Sequence, residues 1–271
     1  TGKTIGSCVE RVDARGKMTG ALEYAADMEM PRMLHVHLVR SKEVHAEILK
    51  IDYEKALEMP GVETVITSED VPGEDGFGVY YHDQPVLAKG KIRFYGEPVV
   101  AIVAETLEDA EEAEKGVEIT YKKLPVVSNI QEAIECKAVL HEDHPDNIVS
   151  TTCVQKGNVE EGFKSSEIII EKDFSTQAVD HAYLETEAGI SYCDPDGTIV
   201  VKSCDQDITH HRVLLAKILG MPINKVRVIM SPVGGGFGGK EDMIYQAILA
   251  IATLKTNQPV KLVFSREDSM I

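Results

Sequence analysis

Three observations predict an α+β fold. Two strand–helix–strand units occupy roughly the first hundred residues. A pair of strands joined by a tight turn follows an irregular stretch, and a glycine loop near the end sits between a strand and a helix. Residues 11–30 (RVDARGKMTGALEYAADMEM) mix charge with glycine and read as an extended opening segment holding one short strand. Leu34–Arg40 alternates apolar and polar residues, as a half-buried strand does, and Ala46–Asp52 reads as a second. Tyr53–Met59 is a short helix stopped by Pro60-Gly61, and Glu63–Thr67 is again a strand. A turn-rich loop covers Val71–Gly78. Gly90–Tyr95 leads into the turn Gly96-Glu97-Pro98, and Val99–Ala104 is apolar throughout, the mark of a buried strand. The acidic helix Leu107–Lys115 and the strand Val117–Tyr121 complete this part.

Leu124–Asn147 has little periodicity and reads as a linker; its His141-Glu-Asp-His144 cluster lacks helical spacing and is expected to be a solvated loop. Glu167–Phe174 (EIIIEKDF), Gly189–Cys193 and Thr198–Ser203 read as strands, the last two joined by Asp194-Pro-Asp-Gly197. Asp207–Leu219 is a helix halted by Gly220 and Pro222, Lys225–Met230 a strand, Asp242–Lys255 a long amphipathic helix, and Val260–Phe264 a final strand. No internal repeat or low-complexity tract is visible.

A net charge of −17 argues against nucleic acid, which needs clustered Lys and Arg. No apolar stretch approaches the roughly 20 residues that span a bilayer. The first residues lack a signal peptide's charged and apolar regions, and no initiator Met is present, as in a processed or cut chain. Five scattered cysteines (Cys8, Cys136, Cys153, Cys193, Cys204) form no C-x-x-C pair. They suit reduced thiols in a cytoplasmic protein and supply no iron–sulfur or zinc signature, so any such cluster belongs to other chains.

The loop Ser231–Glu241 (SPVGGGFGGKE) invites three readings. Side-chain-free backbone lets N–H groups approach a large, oxygen-rich ligand, and a following helix N-terminus favours negative charge. Gly234, Gly236 and Gly239 fit the dinucleotide fingerprint, but Asn257-Gln-Pro259 stands where an acid is needed. Gly234–Lys240 also fits the nucleotide P-loop, but Glu241 replaces its magnesium-binding Ser or Thr and would repel phosphate.

The third reading is a resemblance. Gly234–Glu241 is similar to the molybdopterin-binding loop of the xanthine dehydrogenase and aldehyde oxidase family. Arg11–Gly20 with Tyr24 and Asp27 resembles the start of that family's molybdenum subunit. His45-Ala-Glu-Ile48, Pro60-Gly-Val62 and Gly96–Glu105 resemble its α/β hammerhead domain; His181-Ala-Tyr-Leu-Glu185 and Ser203–Gly220 resemble the opening of its first molybdenum-binding domain. The likeness covers nearly the whole chain. It implies a hammerhead domain over 11–126, a linker over 127–150, and the first part of a mixed α+β molybdopterin-binding domain over 151–271.

The resemblance further implies hydroxylation of an activated carbon by water at a molybdenum–molybdopterin centre (the pterin alone or its cytosine dinucleotide). A metal makes water a usable nucleophile near neutral pH. Electrons would leave through 2Fe-2S clusters to FAD on partner chains. Gln206 matches the glutamine that hydrogen-bonds the metal's oxo group, although its setting, Cys204-Asp-Gln-Asp207, departs from the usual Ser-Thr-Gln. Gly235, Gly236, Phe237 and Gly238 match the loop that approaches the cofactor, with Gln206 and Phe237 nearest the metal. Phe237 either wedges the loop or touches substrate. Glu241 matches the residue that bonds a purine ring in xanthine-type members; otherwise it is a helix N-terminal acid. Lys240 reads as structural or solvated. No catalytic residue is expected on this chain: the family's general-base glutamate lies downstream, and Glu185, Glu187 and Glu241 do not match it. The expected partners are therefore a C-terminal molybdenum-domain chain or segment, an iron–sulfur subunit and an FAD subunit. An aldehyde or aromatic thioester is the alternative substrate class, and a cofactor-free scaffold the alternative of a different kind.

Overall fold

The computed structural model describes residues 5–271, in which two compact units occur. One unit joins the chain up to Lys123 with His181–Ile271; the other is Leu124–Asp180.

In the first unit the strands are β1 (Leu34–Arg40), β2 (Ala46–Asp52), β3 (Val62–Ile66), β4 (Lys91–Ile92), β5 (Pro98–Ala104), β6 (Glu118–Lys123), β7 (Ala188–Cys193), β8 (Ile199–Ser203), β9 (Val226–Met230) and β10 (Val260–Val263). Its helices are α1 (Ala14–Thr19), α2 (Glu54–Leu57), α3 (Leu107–Ala113), α6 (Ile208–Ile218), α7 (Gln246–Thr256) and α8 (Arg266–Met270), α4 and α5 lying in the other unit. Among the described residues the strands form a seven-stranded mixed sheet in the order β3-β5-β1-β10-β7-β8-β9 and a three-stranded sheet β4-β2-β6. The two parts of the chain thus share one sheet. They meet where β1 runs parallel to β10, through Leu34↔Val260 and His35↔Lys261. The buried Lys261 ammonium reinforces the join, donating to the Met28 carbonyl at 3.0 Å and to Glu29 at 2.8 Å.

Local chemistry explains most elements. Val99–Ala104 is fully buried, as an apolar run between two covering neighbours should be. Thr106 caps α3 by accepting the Asp109 N–H at 3.1 Å, and Ala110 and Ala113 turn toward the core. The β7–β8 turn closes where Gly197 takes φ 80° and donates to the Asp194 carbonyl at 2.8 Å. Asp207 caps α6 by accepting the His210 N–H.

Three expectations fail. Residues 11–30 hold no strand: α1 forms, tied by the Asp13–Lys17 ion pair at 2.9 Å and ended by Gly20 in the left-handed region, and a 3₁₀ turn follows at Ala25–Asp27. ARGKMT contains one β-branched residue and good helix formers, so its local preference is helical. The last long helix begins at Gln246, not Asp242, because the Gln246 side chain accepts the N–H groups of Ile244 and Tyr245 at 2.9 and 3.0 Å and holds that turn outside the helix. Nor is α7 amphipathic: Gln246–Thr253 are all buried, between the sheet and α6. Gly189 permits this close approach, since a Cβ there would lie 3.0 Å from both Ser203 Cβ and a Tyr245 ring carbon.

The second unit holds α4 (Ile130–Ile134), capped by Asn129, and α5 (Val159–Ser165), capped by Asn158. Asn147 gathers its loop, accepting from the Leu140 N–H and donating to the Ala133 and Ala138 carbonyls. Here lies the third correction. Glu167–Phe174 joins no sheet, and all eight of its residues are exposed. Three consecutive isoleucines favour extended backbone locally, but a strand needs a hydrogen-bonding neighbour, and none is present among the described residues. No group of three or more His, Cys, Asp or Glu among the described residues is placed to hold a metal. No helix among them is long and apolar enough to cross a membrane.

Candidate cofactor site

Strand β8 ends at Ser203, and β9 beside it ends at Met230, so Gln206 and the glycine loop leave the same end of the sheet together. The parallel pairing brings them side by side: Ser231 N–H donates to the Ser203 carbonyl at 2.9 Å, and Gln206 N–H to the Lys240 carbonyl at 3.0 Å. The Gln206 side chain then turns into the loop. Its Oε1 accepts two backbone N–H groups, from Gly238 at 3.2 Å and Lys240 at 3.1 Å. Only oxygen can accept, so these bonds fix which way the amide points. The Nε2 group is left on an exposed residue as a donor without a partner among the described residues.

Gly236 must lack a side chain here, because a Cβ would collide with Gln206 Oε1. Gly235 and Gly238 have φ of 107° and 95°, and Phe237 is left-handed at 53°. Phe237 is 75% exposed, with its ring beside Gly235, where a Cβ would lie 3.5 Å from a ring carbon. Glu241 is also exposed. Its carboxylate bonds none of the described residues, while its N–H donates to the Gly238 carbonyl at 3.2 Å. Because α7 begins five residues later, Glu241 is not a helix N-terminal acid and the loop does not feed a helix dipole directly.

Behind this face lie residues whose part in the site is not visible in the sequence. Asp205, fully buried, accepts from Ser203 Oγ at 2.7 Å and from Gln246 Nε2. His211, also fully buried, donates from Nε2 to the Glu241 carbonyl at 2.9 Å; its Nδ1 lies 3.4 Å from Asp205 Oδ2. Burial alone would lower the His211 pKa, but the Asp205 carboxylate and the Glu241 carbonyl outweigh it and raise the net value. Burial raises the Cys204 thiol, and the enclosed Tyr245 hydroxyl, which donates to the Ala188 carbonyl, is raised well above its ordinary value. Lys240, read as structural or solvated, is 2% exposed and pairs with Glu185. The signal for this pair was present in His181-Ala-Tyr-Leu-Glu185, which lies far from the loop in sequence and adjacent to it in space. Glu187 is buried and accepts from the Tyr183 hydroxyl.

An outward amide donor beside a glycine-rich rim fits a large cofactor that presents oxygen. Comparison with known proteins agrees. Residues 19–125 match the aldehyde oxidase and xanthine dehydrogenase a/b hammerhead domain, and residues 140–271 match the molybdopterin cofactor-binding domain. The chain is 38% identical to a probable xanthine dehydrogenase subunit from Bacillus subtilis, covering 96% of this chain and 35% of that one. It is 35% identical to the nicotinate dehydrogenase large molybdopterin subunit of Eubacterium barkeri, covering 98% and 63%. Quinoline 2-oxidoreductase from Pseudomonas putida 86 superimposes with a TM-score of 0.91 at 28% identity, over all of this chain and 36% of that one. The chain spans only part of each relative, and it belongs to the xanthine dehydrogenase and aldehyde oxidase family, in the molybdenum-binding portion.

Proposed function

We propose that this chain forms one wall of the molybdenum site in a cytoplasmic hydroxylase that adds oxygen from water to a purine or related N-heterocycle. The observation that carries the reading is the Gln206 amide, held oxygen-inward by two loop N–H groups and donor-outward toward the open face. When bound, molybdopterin supplies a metal that activates water and takes up electrons. Gly235, Gly236, Phe237 and Gly238 would offer backbone to the pterin, and Gln206 Nε2 would be the neutral donor available to the group, adding no charge there. The Glu241 carboxylate, unengaged by the described residues, accepts from a ring N–H or, protonated, donates to a ring nitrogen. Relatives named for xanthine, nicotinate and quinoline support an N-heterocycle.

Glu185 and Glu187 are engaged within the fold, so the general base is assigned to a downstream segment or a partner chain. The 2Fe-2S clusters are assigned to partner chains, because no group of three or more His, Cys, Asp or Glu among the described residues is placed to hold a metal, and FAD is assigned to partner chains with them. The first test is metal and pterin content of protein purified from its source, with intact masses of all co-purifying chains. Molybdenum and pterin with a longer parent or second chain are expected; their absence would leave a scaffold. In the loaded assembly, Glu241→Ala should lower purine kcat/KM about 10- to 100-fold and leave aldehyde turnover unchanged. Unchanged purine turnover would remove the substrate assignment.

A further inference from the structure

Between Gly234 and Lys240 the loop is five glycines, one phenylalanine and the lysine, the composition with the most backbone freedom to lose on ordering. Such a loop needs an external hold if it is to stand ready for a ligand. Lys240 provides it. Its side chain folds back and is 2% exposed, with Nζ donating to Glu185 Oε2 at 2.9 Å and to the Glu185 carbonyl at 2.8 Å. The ammonium also lies 4.7 Å from the centroid of the Tyr183 ring. The same Glu185 Oε2 accepts the Gly234 N–H at 2.7 Å, and the Glu185 N–H donates to the Gly234 carbonyl at 3.3 Å. One carboxylate oxygen therefore grips both ends of the loop, while Gln206 Oε1 grips its second half. The other oxygen of Glu185 is buried without a hydrogen-bond partner among the described residues, so Lys240 balances its charge.

We propose that Lys240 and Glu185 form a clasp that presets the glycine loop and are positioning residues for the molybdopterin rather than contacts to it. The proposal rests on the cofactor reading above. A buried charge whose partner is removed is strongly unfavourable, so replacing either member alone penalises the closed loop. A loop closed in advance also spares the ligand the cost of ordering it.

The test uses the purified assembly with Lys240→Met, Glu185→Gln and the double variant. Amide hydrogen exchange is read at Gly234, Gly238 and residue 240 against the amides of α7, together with molybdenum and pterin per chain. Each single variant should speed loop exchange and lower cofactor content by about tenfold or more, with α7 unchanged. The double variant should be about as impaired as the worse single and not their sum, because each single already breaks the same contact. Loop exchange as slow as in the unmodified protein, equal acceleration of α7, a double variant restored to the unmodified level, or losses that simply add would each overturn the clasp. Faster loop exchange with unchanged cofactor content would uphold the clasp and overturn the assignment of the loop to the cofactor.

Discussion

Gln206 separates two tasks that a single substitution can pull apart. Its oxygen holds the loop and its nitrogen faces outward. Gln206→Glu keeps an acceptor for both loop amides but replaces the outward donor with an acceptor. Cofactor should stay bound while kcat falls about a hundredfold. Gln206→Ala removes both functions and should lose the cofactor itself. Equal metal content and equal rate for the two variants would refute this division. His211 gives a pH-dependent counterpart. Its folded-state pKa is raised, so its stabilisation is fully present below roughly pH 6.5, the ordinary histidine value, and is lost as pH rises through the higher value. The difference in unfolding midpoint between the unmodified protein and His211→Gln should therefore be widest in mild acid and shrink toward alkaline pH. A constant gap would mean that the Asp205 pairing contributes nothing. The sequence marked Gln206 through the family's motif, but only the neighbouring loop reveals which amide atom is engaged, and nothing local marked His211.

Helix α7 organises the element scale. It is buried on every side from Gln246 to Thr253 and ties to β3 through Lys255, whose Nζ donates to the Val65 carbonyl at 2.9 Å. Ile248 is fully enclosed, so Ile248→Ala should cost about 2–5 kcal/mol in denaturant unfolding. Gly189→Ala should cost about 1–3 kcal/mol, because its Cβ would press β7 against Tyr245 and Leu249. A near-neutral result for both would mean that α7 is not the packing centre. Most elements were readable from period and caps: β1, β2 and the Asp194–Gly197 turn lie where alternation and turn residues put them. The α1 error was local, made against a helical preference, but the other two share one cause. Glu167–Phe174 has a strand's composition without a strand's neighbour, and α7 has a helix's composition while being covered on all faces. Neither circumstance is a property of the segment.

At the scale of the whole molecule, the site is open. The carboxylates near the loop are tied to neighbours or, like Glu241, exposed at its rim, and the chain spans about a third of the Bacillus relative it matches. This chain expressed alone should catalyse no hydroxylation, and turnover should return only in the assembly that carries the remaining part of the site. Measurable turnover by the isolated chain would place the general base here after all. The 167–180 stretch exposes Ile168, Ile169, Ile170, Phe174 and Val179, which is a large apolar area for a protein surface.

By itself the sequence determined what depends on neighbours along the chain. It specified strand and helix periods, the turn at Gly197, the stop of α6 before Gly220 and the glycine loop whose spelling marks the family. It also placed Gln206 and Glu241 as candidates. The tertiary structure alone decided what depends on partners across the chain. The β1–β10 pairing merged two stretches into one sheet, Lys240 was withdrawn from solvent onto Glu185, and the Gln206 amide was turned donor-outward. Burial and hydrogen-bond satisfaction are set by whatever the fold brings alongside, and no window of sequence contains that information.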